Sequence, residues 1–193
     1  MIDFKVWDVE TVTASDFTVE YVISDEVWAK FQTMSATVAM LNPELKNMGR
    51  LMQFENYLEK QLIEKINQFD HVINNIQVGF ANITFAYDNA ELLKLLTVRG
   101  GLITQGKFDK LPAVNKMLQN LKETQSDKLI RPVTAFLTFN TQEGYERSLR
   151  YWGPESAGKT KELTENHKFC DTQIRVKPAP EPSNIIWENR HIS

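Results

Sequence analysis

Leu45, Met48, Leu51, Phe54, Leu58, Leu62, Ile66 and Phe69 follow one another at spacings of three and four, and no other feature of the chain restricts its fold so tightly. That period draws a single apolar stripe along a helix of roughly 25 residues, about 38 Å long at 1.5 Å per residue. Asn42-Pro43-Glu44 reads as its start, with an N-cap, a proline at the first helical position and an acid in the first turn. A one-faced helix of this length must cover a sheet or another helix.

The rest of the chain supplies a sheet. Residues 17–23 alternate and are rich in β-branched and aromatic side chains, so they predict a first strand, and Ser24-Asp25-Glu26 then signals a helix start. Residues 72–87 predict a long second strand, with a bulge or break at Gly79. Asp88-Asn89 caps a helix over 90–96 that Gly100-Gly101 ends, and 112–123 reads as a further amphipathic helix. Residues 132–139 predict a third strand, and 141–152 a helix with Tyr145, Leu149 and Trp152 on one face. Residues 172–176 complete the set as a fourth strand. The expected class is α+β, a ferredoxin-like or RRM-like four-stranded antiparallel sheet in the order βαβ, insertion, βαβ, with long helical insertions. No Gly/Ser-rich linker or long repeat divides it, so residues 1–193 read as a single domain with a helical insertion at about 89–128 and a proline-rich connection over 177–193.

Composition narrows the function. A chain of 193 residues, 42% hydrophobic and 24% charged, is an ordinary globular chain able to bury a core. Its net charge of −3 and lack of a basic stripe argue against nucleic acid as a partner. The single Cys170 forms no internal disulfide, which fits a reducing, cytoplasmic setting. No apolar run reaches the length of about 18 residues that a membrane span needs, and the N-terminal residues lack a signal-peptide pattern.

The strand order invites an RNA-binding reading, which the residues oppose. An RNA-recognition motif stacks bases on aromatics of its middle strands, but here Pro132, Val133 and Thr134 stand where a basic residue, a glycine and the first aromatic belong. Phe136 alone survives as a stacker, Thr18 takes the position on the first strand, and stacking worth about 1–3 kcal/mol per base is mostly lost. A sharper motif is Gly153-Pro154-Glu155-Ser156-Ala157-Gly158-Lys159-Thr160, which fits G-x-x-x-x-G-K-[ST]. In a nucleotide hydrolase, amides of such a loop wrap a phosphate, with Lys159 on the outer phosphates and Thr160 on magnesium. Such a loop leaves a buried strand, whereas 141–152 reads as helix. A connecting loop is the simpler reading, and a soluble nucleotide-binding protein using Gly153, Gly158, Lys159 and Thr160 is the runner-up.

Other constellations are weaker. His71, His167 and His191 lie far apart, and His167 with Cys170 offers two zinc ligands without a second pair. No G-x-S-x-G elbow or H-E-x-x-H helix is present, so neither a catalytic residue nor a cofactor is expected. Asn82-Ile83-Thr84 matches a glycosylation sequon but falls in a predicted strand.

The run Ala179-Pro180-Glu181-Pro182-Ser183-Asn184-Ile185-Ile186-Trp187-Glu188-Asn189 closely resembles the A-P-E-P-x-D-I-x-W-x-N-L signature of the hyperosmolality- and stress-gated, calcium-permeable cation channels, relatives of the anoctamins. Asn184 stands where an Asp is usual and the following Arg190 where a Leu is usual, as in a divergent, protist-like branch. The segments 16–20, 87–96 and 131–139 also resemble that family's cytosolic domain, which is itself RRM-like with helical insertions. The resemblance implies a non-enzymatic regulatory and assembly domain on the cytoplasmic face of a membrane. Its partners would be membrane-spanning segments of the same polypeptide, a possible second copy in a homodimer, and the membrane surface near the C-terminus. Pro178, Pro180 and Pro182 would keep the connection stiff around Glu181, while Ile185, Ile186 and Trp187, with Glu188 and Asn189 behind them, would supply an interfacial anchor.

Overall fold

The structure is a computed structural model, and it describes residues 14–41, 49–69, 77–154 and 164–180. A 3₁₀ turn at Ala14–Phe17 leads into β1 (Thr18–Val22), followed by α1 (Asp25–Leu41) and α2 (Arg50–Asn67). Next come β2 (Phe80–Tyr87), α3 (Ala90–Thr104), α4 (Leu111–Thr124), the single turn α5 (Ser126–Leu129), β3 (Pro132–Phe139) and α6 (Gln142–Trp152). Three short strands complete the order: β4 (Lys168–Phe169), β5 (Thr172–Gln173) and β6 (Val176–Pro178). The protein is α+β, with a four-stranded antiparallel sheet in the order β2-β3-β1-β6 and a separate β4-β5 hairpin.

The described residues divide into two compact units, those within 14–84 and 135–180 and those of 85–134. In the first unit, the stripe that dominated the sequence packs as its period requires from Phe54 onward, whereas Leu51, expected on the same stripe, is exposed one residue into the described helix. Phe54, Leu58, Leu62 and Ile66 of α2 are fully buried, and Phe69 is buried just beyond the helix end. Burying one such side chain contributes about 1.5–3 kcal/mol. Leu45 lies outside the described residues, as do Met48 and the Asn42-Pro43-Glu44 start; the helix is described from Arg50. Around the stripe, Trp28 and Phe31 of α1 close on Phe54 with ring centroids 4.9 Å away in each case, and Tyr57 bridges Phe31 to Phe169 of β4. Val19 and Tyr21 of β1 and Ala135, Leu137 and Phe139 of β3 supply buried residues of the sheet.

α1 starts as Ser24 predicted: the Val27 amide donates to Ser24 Oγ and the Trp28 amide to the Ser24 carbonyl. β2 begins at Phe80, later than the pattern suggested. Asn67, the last residue of α2, accepts from the Val78 amide at 2.8 Å and donates to its carbonyl at 2.9 Å, so its side chain occupies backbone groups that a longer strand would use. Residues 72–76 of the expected strand lie outside the described residues.

α6 is capped by Thr141, whose Oγ1 accepts from the Gly144 amide. Its buried face differs from the expected one. Gly144, Arg147, Ser148 and Trp152 are buried, whereas Tyr145 and Leu149 are only half-buried. The helix is rolled because Gly144 lets it approach closely; a Cβ there would lie 2.6 Å from Phe139 and 2.7 Å from Val78. Arg147 is buried with its guanidinium on Glu143 at 2.8 Å.

The fourth strand of the sheet is β6, not residues 172–176. Thr172-Gln173 instead folds back on Lys168-Phe169 through a two-residue turn in which Cys170 and Asp171 both have positive φ, 51° and 63°. Ile174 then donates to the His167 carbonyl, and the chain reaches β1 only at Val176.

In the second unit, Val114, Leu118 and Leu121 of α4 are buried. α3 runs through Gly100-Gly101, where the sequence pattern ended it, because an α-helical backbone accepts glycine and the Gly101 carbonyl receives the Gln105 amide. The helix stops at Gly106 (φ 66°), where Gly106 N donates to Ile103 O and Lys107 N to Leu102 O, the paired bonds of a Schellman end. Asn89 occupies the N-cap position without a side-chain cap bond, and Asp88 pairs with Lys128 at 3.4 Å. No helix among the described residues is long and apolar enough to cross a membrane.

Candidate functional site

In the first unit, one edge of the sheet and the end of α6 enclose a cleft of about 370 Å³, lined by Glu20, Val22, Trp152, Gly153, Pro154, Gln173, Arg175, Val176 and Lys177. The alternation of β1 and β6 explains the mixture. Glu20 and Lys177 stand opposite each other across the two strands, as do Tyr21 and Val176. The Glu20 carboxylate lies 3.4 Å from the Lys177 ammonium, at 4% and 59% side-chain exposure. A carboxylate buried to this degree needs a close cation, and Lys177 provides one while its own head stays in water. Arg175 is exposed, and its Nε and Nη2 both donate to Gln173 Oε1, at 3.3 and 3.2 Å. Trp152 forms the inner wall, fixed by its indole N–H on the Asn166 carbonyl at 3.0 Å. The lining thus holds one carboxylate and two cations, a net charge of plus one.

A second cluster lies around β4. His167 is 4% exposed, with Phe69 edge-on at 4.8 Å and Tyr151 at 6.3 Å between centroids. Its Nδ1 meets Thr164 Oγ1 at 2.8 Å, and its Nε2 has no hydrogen-bond partner among the described residues. Burial holds its pKa below the usual histidine value. Cys170 sits at the hairpin tip 3.9 Å from the Tyr57 hydroxyl, and burial pushes the phenols of Tyr21 and Tyr57 above their ordinary range, with the neighbouring Cys170 adding to both shifts. Among the described residues no three His, Cys, Asp or Glu side chains converge as metal ligands.

The residues singled out from the sequence are divided by what the structure describes. Pro178 closes β6 opposite Val19, and Ala179 donates its amide to the Thr18 carbonyl at 3.0 Å, so the proline-rich run starts tied to the sheet. Pro180 follows, half-buried; Glu181, Pro182, Ile185, Ile186, Trp187, Glu188 and Asn189 lie outside the described residues. Gly153 is the C-cap of α6 and lines the cleft, while Gly158, Lys159 and Thr160 lie outside the described residues. The residue before this glycine motif is therefore the end of a helix and not of a strand. Phe136 is 6% exposed and Thr18 is hydrogen-bonded to Thr138 at 2.8 Å, so neither offers an open stacking surface.

Sequence reasoning did not find the cleft. It singled out none of Glu20, Arg175 and Lys177, and only the register of β6 on β1 brings them to one place. The signal was present in Glu20, an acid in the middle of an otherwise apolar strand. No family model, curated protein or solved structure matches this chain.

Proposed function

We propose that this chain is a regulatory and assembly domain on the cytoplasmic face of a stress-gated, calcium-permeable cation channel, non-enzymatic, joined to membrane-spanning segments of the same polypeptide by its proline-rich connection. The same reading takes the sheet as ferredoxin-like and RRM-like, with α3 and α4 as its helical insertion. One observation carries the coupling role. β6 pairs with β1 over Val176–Pro178 and runs without a break into Ala179-Pro180. Prolines fix φ and keep an extended segment stiff, so a displacement of the connection is delivered to the sheet edge with little slack. The glycine motif that favours nucleotide binding follows a helix, against the strand-loop-helix order that phosphate-binding loops need.

The test begins with the coding sequence on both sides of these residues, where apolar stretches of about 20 residues are expected. The polypeptide it encodes is then expressed in cells without such currents and recorded under stretch and hypertonic challenge. Replacing Pro178, Pro180 and Pro182 by glycine is expected to reduce the evoked current several-fold with surface expression unchanged. A coding sequence without apolar spans, or a silent full-length protein, overturns the reading; currents untouched by the proline replacements overturn the coupling role alone.

A further inference from the structure

We propose that the cleft between β6 and the end of α6 binds a small apolar monocarboxylate, with Arg175 as the partner of the carboxylate. The inference is independent of channel function. The cleft volume of about 370 Å³ falls in the range of small-ligand sites, roughly 300–1,000 Å³. Its walls combine apolar surface, mainly from the exposed Val22 and Pro154 with the buried Val176 and Trp152 behind them, with charge confined to three side chains. Glu20 and Lys177 form an ion pair with each other through Glu20 Oε1 at 3.4 Å. Arg175 differs from them, since the group that holds it is the neutral Gln173 amide and no carboxylate pairs with it among the described residues. The amide engages Nε and one terminal nitrogen, which fixes the plane of the guanidinium and leaves donors for a second acceptor.

A planar guanidinium recognises a carboxylate through two parallel hydrogen bonds, and it loses less entropy in doing so when its plane is already fixed. Charge selects the class of ligand. The lining carries plus one, which a monoanion neutralises, whereas a cation would meet Arg175 and Lys177, and a polyphosphate would face the buried Glu20 carboxylate with excess negative charge. The apolar walls then require a hydrocarbon or aromatic body behind the charged end. Because the cleft has β6 on one side and α6 on the other, an occupant also clamps the three-residue strand β6 in place.

The probe is octanoate, titrated into the full chain and followed by chemical shifts of the Arg175 Nε–H and of the Val22 and Val176 amides. A ligand of this size is expected to bind with a Kd on the order of 1 mM. Arg175→Met, which keeps the apolar stem of an exposed side chain, is expected to weaken binding at least tenfold. Val22→Trp, at an exposed position, is expected to fill the cleft and abolish it. Octanol and acetate separate the two halves of the ligand, and each alone is expected to bind at least tenfold more weakly. Octyl phosphate binding more tightly than octanoate, equal shifts with octanol, no saturation by octanoate at ten times the expected Kd, or unchanged affinity in Arg175→Met would each overturn the assignment.

Discussion

His167 concentrates the electrostatic tension of the described core. Its imidazole is buried against Phe69 and Tyr151 with Nε2 unpartnered among the described residues, and burial depresses its pKa from the usual 6.5. The neutral ring fits this site, and the charged ring does not. Well above pH 6.5 the histidine is neutral folded or unfolded and carries no penalty. As pH falls from 6.5 through the lower folded value, the unfolded chain takes up a proton that the folded chain resists, and stability is lost. Relative to His167→Gln, the native protein is expected to lose stability over that window and to run parallel to the variant above pH 7. Urea unfolding of both proteins at a series of pH values checks this, and parallel curves throughout would show that protonation of His167 is not opposed. At the same hairpin, Cys170 holds a left-handed backbone conformation that residues other than Gly, Asn and Asp adopt at some cost. That turn was illegible in the sequence because neither Cys170 nor Asp171 forms the Asn-Gly or Asp-Gly pair that marks a two-residue hairpin.

At the scale of elements, α3 shows how one residue type reads in opposite ways. Gly100 sits inside the helix with open space where a Cβ would stand, and Gly106 ends it with φ 66°. Gly100→Ala is expected to stabilise by about 1 kcal/mol through helix propensity. Gly106→Ala is expected to destabilise by about 1 kcal/mol, because an L-residue is strained in that conformation. Chemical denaturation of the two variants beside the parent decides the signs, and a stabilising Gly106→Ala would contradict the Schellman end. Pattern reasoning found this helix and misplaced its end, since Gly-Gly is a stop signal only where the backbone turns left-handed. It placed α2, β3 and α6 well because each carries its own period or cap: the stripe of Phe54 to Ile66, the β-branched and aromatic run from Val133 to Phe139, and Thr141. It misplaced the fourth strand of the sheet because β6 is only three residues long and is defined by its partner rather than by its own composition.

Across the whole molecule, burial is distributed unevenly between elements of similar length. α2 buries Phe54, Leu58, Leu62 and Ile66 completely, whereas α3 has no buried side chain despite seven leucines, isoleucines and valines. Local opening is governed by such burial, so amides of α3 around Leu95 are expected to exchange with solvent at least about tenfold faster than those of α2 around Leu62. Native-state hydrogen exchange measures the ratio, and equal protection would mean that α3 is covered in solution. The candidate cleft was the least legible feature of all, because Glu20 and Lys177 meet only after strands distant in sequence have paired.

The pairing of Val19 with Pro178 also sets the timing of folding. A contact between positions so far apart gives the sheet a high contact order, and closing long loops slows folding. On a ribosome adding about 5–20 residues per second, β1 emerges well before β6, and its β6 side stays open until residue 178 has cleared the exit tunnel. The α2 stripe can collapse during that interval, but the nascent chain presents a bare strand edge for many seconds. A synthesis pause or truncation just before Val176 therefore leaves that edge, rather than the helical core, as the surface on which misassembly starts.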